Sequence, residues 1–189
     1  MLKKNPKTSW NGEEKMPTVA PTAYVDDSAT LIGDVRIGER TYIAPGVSLR
    51  ADEATPIIIG DDCNVQDNSV FHGLLGSMIQ IGNKVSIAHG AIVHGPCAMG
   101  DESFVGFNSV VHASTMGCKC FVGHGAVVIG IRLKDGKYVP HGAVIDSQNR
   151  ADELGPVPEH LKDFNEDVVK VNNEFAKGYP SMTRSCGCR

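Results

Sequence analysis

Apolar residues recur every six positions along most of this chain. From Val25 the series runs through Leu31, Ile37, Ile43 and Leu49. It resumes after a step of ten at Ile59, Val65 and Phe71, and after another at Ile81, Ile87, Val93, Met99, Val105 and Val111. A step of five leads to Met116, Val122 and Val128, and a further break to Val139 and Ile145. Small residues keep phase with this series. Gly38, Gly60, Gly82, Gly100, Gly106, Gly117 and Gly123 follow the apolar residue directly, and Thr41, Cys63, Ser69, Ala91, Cys97, Ser103, Ser109, Cys120 and Ala126 stand four places after it. This is the hexapeptide repeat of a parallel β-helix, in which three hexads make one triangular coil. The apolar side chain points into the prism and small residues suit its crowded corners, where glycine also adopts backbone conformations that other residues avoid. The pattern predicts an all-β fold of about six coils over residues 25–150, preceded by an N-terminal arm, 1–24. Pro156 and Pro158 break the repeat. Leu161, Phe164, Val168, Val171 and Phe175 then recur at three- and four-residue steps, which predicts an amphipathic C-terminal α-helix within 151–179, stopped by Gly178, and a tail over 180–189.

Counting hexads converts positions into edges of the prism. Arg50, His72, His94 and His112 each follow an inward apolar residue on one side, so they form a ladder rising about 4.8 Å per coil. Gln66 and Asp67 lie on another side, one coil below Ala88 and His89. His72 and His94 are therefore neighbours at ligand spacing. His89 is separated from His94 by five residues, a reach of up to about 16 Å, too far for one chain to bring all three to one ion. Two parallel prisms side by side would do so, and three such contacts close a ring. The predicted centre lies between subunits of a homotrimer, with His72 and His94 from one chain and His89 from its neighbour. Three neutral imidazoles on one ion leave coordination positions open for water, and the ion would generate hydroxide from that water at neutral pH. Arg50, Asp52, Glu53, Gln66 and Asp67 supply the polar groups that ligating histidines need for orientation. Loop insertions follow this edge at Asp52–Glu53 and Gly73–Gln80. His112, His124, His141 and His160 read as solvated or hydrogen-bonded side chains.

Composition narrows the classes. No run of 18 apolar residues exists, so no membrane span is expected. A net charge of −4 argues against nucleic acid as a partner. Met1–Pro17 holds no apolar stretch of signal-peptide type, so a cytoplasmic location is expected. Cys63, Cys97 and Cys120 read as small buried corner residues. The pairs Cys118/Cys120 and Cys186/Cys188 are a weak metal or redox signal.

Arg50-Ala-Asp52-Glu53, Asn64-Val-Gln66-Asp67, His72, and His89-Gly-Ala-Ile-Val-His94-Gly-Pro closely resemble the γ-class carbonic anhydrases. The resemblance extends from Asn5-Pro-Lys-Thr-Ser-Trp10-Asn to Lys137-Tyr-Val-Pro140 and the C-terminal helix. It implies a left-handed, homotrimeric β-helix and reversible hydration of CO2 to bicarbonate by a metal hydroxide, with His72, His89 and His94 as ligands to zinc, ferrous iron or cobalt. It also implies that Gln66 holds the hydroxide, that Glu53 assists proton movement, and that Arg50, Asp52 and Asp67 form an inter-subunit network with Asn64 close by. Asn172 matches a residue near the bicarbonate site, and Trp10 one implicated in proton transfer. The segment Gly73-Leu-Leu-Gly-Ser-Met78 departs from the family, having no ionisable group where relatives carry an acidic loop. A hexapeptide acyltransferase shares the fold but needs only one interface histidine. A scaffold that keeps the site without catalysis is the other alternative.

Overall fold

A computed structural model describes residues 1–183; Cys186 and Cys188 lie outside them. Each hexad forms a short strand followed by a tight turn, and strands one coil apart pair in parallel into three sheets. The first sheet stacks Thr30–Gly33, Ser48–Ala51, Val70–His72, Ile92–His94, Val110–His112, Val127–Ile129 and Val144–Ile145, with Leu2–Lys3 added at its lower end. The second runs from Thr18–Val19 to Arg132–Leu133 and the third from Tyr24–Val25 to Tyr138–Val139. The product is an all-parallel β-helix of about seven coils, one more than the count of hexads suggests. Two hexads account for the difference. Val19 sits below the point where the count starts, and Leu133, buried in the core, falls inside the apparent break after Val128.

The interior is a column of side chains closed to water. Leu31, Leu49, Phe71, Val93, Val111 and Val128 of the first sheet are all at 0% exposure. Because side chains alternate across a strand, the residue after each of these faces outward. The small corner residues do more than save space. Thr41 Oγ1 donates to the Gly60 carbonyl at 2.8 Å, Ser69 Oγ to Ala88 at 3.0 Å and Ser109 Oγ to Gly123 at 2.8 Å, satisfying buried backbone acceptors. Cys63, Cys97 and Cys120 are buried, and burial pushes the Cys63 and Cys97 thiols up to about 12. The glycines after the apolar residues serve clearance rather than conformation. A Cβ on Gly60 would stand 2.5 Å from the Gly82 carbonyl oxygen, whereas the left-handed corner positions two residues on are held by Asp62, Lys84 and Glu102.

After the coils come a short helix, α1 (Gln148–Glu153), a proline-rich link, a single 3-10 turn (Glu159–Leu161), and α2 (Phe164–Thr183). The helix α2 passes through both Gly178 and Pro180. Tertiary packing sustains that last turn, since the Tyr179 ring stacks on Tyr24 at 5.1 Å and on Tyr42 at 5.8 Å. Farther up, Phe164 packs edge-on against Phe104, and Asn165 Nδ2 donates to the Lys84 carbonyl, so α2 lies along the third sheet. No described helix is long and apolar enough to cross a membrane.

Candidate metal centre

The outward residues of the first sheet form the ladder in register: Arg50 pairs with His72, His72 with His94, and His94 with His112. The His72 and His94 rings are 5.5 Å apart and the His94 and His112 rings 5.0 Å apart. The insertion after Ala51 folds back over this edge. It brings Asp52 Oδ1 to 3.4 Å and Glu53 Oε1 to 3.3 Å from His72 Nε2. Asp52, Glu53 and His72 thus offer one ligand atom each within 4.8 Å of one another. His72 Nε2, Asp52 Oδ1 and Glu53 Oε2 are buried without hydrogen-bond partners. A buried ring nitrogen and two carboxylate oxygens left unbonded suit a divalent cation, which satisfies lone pairs that no protein donor reaches. His94 agrees with this. Its Nδ1 is 3.0 Å from the Gly95 carbonyl, which can only accept, so Nδ1 carries the proton and the Nε2 lone pair is left for a ligand bond. Arg50 pairs with Asp52 at 3.0 Å and so steadies one of the two carboxylates.

A second group sits on the next corner, against α2. His89 Nδ1 is 2.8 Å from Asp67 Oδ2, an arrangement that again leaves Nε2 outward. Gln66, Asp67, His89 and Asn172 line one cavity of about 420 Å³, walled by Tyr42, Phe107, Phe164, Val171 and Phe175. Gln66 Nε2 donates to Asn64 Oδ1 at 2.9 Å, and Asn64 Nδ2 donates to Ser86 Oγ at 2.8 Å. All three residues are buried, and this chain of bonds leaves Gln66 Oε1 as an acceptor facing the cavity. Asn172 Nδ2 is likewise used, donating to the Val168 carbonyl at 2.8 Å.

The candidate residues therefore divide in two within one chain. Arg50, Asp52, Glu53, His72 and His94 share the ladder edge. Gln66, Asp67, His89 and Asn172 share the corner cavity, with Asn64 beneath them. Trp10 is half exposed on an N-terminal hook that reaches the Asp52–Ala54 turn through Asn11. Sequence reasoning missed Ser86, Asn11 and Tyr42. A signal existed for Ser86: Tyr24, Tyr42, Asn64, Ser86, Phe104, Phe121 and Tyr138 occupy one register column, and the two small polar residues interrupt an otherwise aromatic series.

Hexad coils with an imidazole–carboxylate edge define a hexapeptide-repeat protein with a candidate cation site on one flank. The comparisons with known proteins agree. The chain is 40% identical to a carbonic anhydrase of Methanosarcina thermophila, over 94% of this chain and 81% of that protein. It is 38% identical to the carboxysome assembly protein CcmM of a Nostoc species, over 92% of this chain but only 33% of that longer protein. Among solved structures, a hexapeptide transferase family protein from Anaplasma phagocytophilum superposes with a TM-score of 0.74 at 27% identity, covering 87% of this chain and 93% of its own. No protein-family model matches the chain. The chain belongs to the γ-class carbonic anhydrase family.

Proposed function

We propose that this protein is a metal-dependent carbonic anhydrase that interconverts CO2 and bicarbonate at the subunit interfaces of a homotrimer. The observation that carries the reading is the in-register His72–His94 pair, with the His72 Nε2 buried and unbonded. His89 of an adjoining copy is the third ligand. Two complementary surfaces support the trimer. The ladder face exposes Val70, Ile92, Ile129 and Val144, and the His89 corner exposes Phe107, Phe164, Val171 and Phe175. Joining the two buries apolar area from both. Zinc, ferrous iron and cobalt all suit an imidazole set. A divalent ion so held would supply Lewis-acid charge and would acidify a water to near neutrality.

The chain's own groups do the rest. Gln66 Oε1, braced through Asn64, would accept a hydrogen bond from the nucleophilic water and so orient it toward CO2. Asp67 holds the His89 ring by its Nδ1 proton. Asn172, on the apolar wall, borders the space that receives bicarbonate. The Glu53 carboxylate beside His72 takes the departing proton, and Trp10, on the N-terminal hook, is the outer proton-transfer residue that the family likeness implies. Arg50 and Asp52 form the ion pair that keeps this edge in shape.

The test is stopped-flow CO2 hydration by zinc-loaded protein and by anaerobically prepared iron-loaded protein, with the metal content measured. Hydration is expected in both, and His94→Ala is expected to abolish bound metal and hydration together. Full activity in metal-free protein would overturn the mechanism. Sedimentation should give the mass of three chains. A scaffold role is the second reading, favoured by the likeness to CcmM and by the loop Gly73–Met78, whose Leu74, Leu75 and Met78 are exposed. Metal-loaded trimer with no hydration would select it.

A further inference from the structure

The Asp52–Glu53 turn carries two half-buried carboxylates, each with one buried and unbonded oxygen, beside a buried imidazole nitrogen, and its next residue, Ala54, has a φ of +59°. An alanine in the left-handed region is strained, because its Cβ crowds the following carbonyl, so the surroundings must hold it there. One flank is held by Thr55, whose Oγ1 donates to the Leu74 carbonyl at 2.9 Å and accepts the Ser77 N–H at 3.1 Å. The other flank meets the N-terminal hook. Asn5 and Asn11, at 2% and 6% exposure, are its buried polar residues. Asn5 Oδ1 accepts the Lys15 N–H at 2.8 Å and its Nδ2 donates to the Glu13 carbonyl at 2.9 Å, which closes the hook on itself. The Asn11 amide orientation that satisfies its neighbours has Oδ1 accepting the Ala54 N–H at 3.2 Å and Asn5 Nδ2 at 2.8 Å, while Nδ2 donates to Glu13 O at 2.9 Å. The reverse orientation would set its own N–H groups against two donors. The Ala54 N–H is thus bonded from outside its turn, by a residue more than forty positions away.

We propose that Asn11 is a positioning residue: it holds Ala54 in the left-handed conformation and thereby sets the Asp52 and Glu53 carboxylates against His72. It touches neither substrate nor ion and acts through the turn. This deepens the carbonic anhydrase reading and rests on it for its kinetic arm, while its structural arm does not.

The experiment compares full-length zinc-loaded wild type with Asn11→Ala, Ala54→Gly and the double variant. CO2 hydration and hydrogen exchange at the Ala54 amide are both measured. Asn11→Ala should lower kcat/KM about tenfold, as loss of outer partners of a metal site does, and speed exchange at Ala54. Glycine adopts positive φ without strain, so Ala54→Gly should recover most of the rate in the Asn11→Ala background. Unchanged Ala54 exchange in Asn11→Ala, with or without a rate loss, would overturn the proposal, as would a folded double variant that recovers no rate. Should the wild type itself show no hydration, the enzymatic reading fails, and the exchange measurement still decides whether Asn11 holds the turn.

Discussion

Ser86→Ala removes one oxygen at the far end of the chain of bonds that braces Gln66. Ser86 and Asn64 are both at 0% exposure, and Ser86 Oγ accepts the Asn64 Nδ2 hydrogen at 2.8 Å. Without the hydroxyl that hydrogen has no acceptor and no access to water. Stranding a buried donor costs about 1–3 kcal/mol. In a domain of this size each kcal/mol lowers Tm by about 2–4 °C, so the variant should melt about 2–12 °C lower. Protein concentration must be held constant, since Tm depends on it for an oligomer. A second consequence is kinetic. An unbraced Asn64 amide no longer fixes Gln66, and kcat/KM for CO2 should fall about tenfold. The two effects separate in a Gln66→Ala background. There Ser86→Ala should still lower Tm but should leave the residual rate unchanged, because its kinetic effect passes through Gln66. An unaltered Tm in the single variant, or the same fold loss of rate in the Gln66→Ala background, would refute the reasoning.

Acid should loosen the upper coils. The Phe107 N–H donates to His124 Nδ1 at 3.0 Å and the His124 N–H to His141 Nδ1 at 2.8 Å, so both nitrogens must be unprotonated. Burial, and then the neighbouring His141, hold the His124 pKa below its ordinary 6.5. The unfolded chain therefore takes up the proton first as pH falls. The stability due to this group is complete above about pH 6.5 and declines as pH drops toward the folded pKa. His124→Asn keeps an oxygen acceptor that does not titrate, so its urea midpoint should vary less than wild type between about pH 5 and 7; equal slopes would contradict the assignment. Gly60→Ala would put a Cβ 2.5 Å from the Gly82 carbonyl oxygen and 2.6 Å from Asn83 Oδ1. Overpacking of this kind costs about 1–3 kcal/mol or more, readable as a lower urea midpoint, and an unchanged midpoint would show that the coils have slack there.

The period of six contains the core and the register. In a solenoid each coil touches only the coils above and below it, so counting residues is enough to say what stacks on what. That is why the pairing of His72 with His94 and of Arg50 with His72 follows from position numbers alone. The chemistry of the edge was legible for the same reason: a ladder repeats a residue type at fixed height. What the count could not supply is contact made outside the period. The coil closed by Leu133 hides behind a shortened turn, and α2 runs past Gly178 because Tyr179 finds two rings on the third sheet. Asn173 bonds Asp62 across 111 residues, and Asn11 reaches Ala54 across 43. Such bonds depend on where an arm or a helix comes to rest on the finished prism. The free energy that decides them, burial of an aromatic face or satisfaction of a single amide, leaves no repeating mark along the chain. The sequence alone therefore determines the prism and the residues lined up on its edges, and the tertiary structure decides which of them are braced, by which nitrogen, and from how far away.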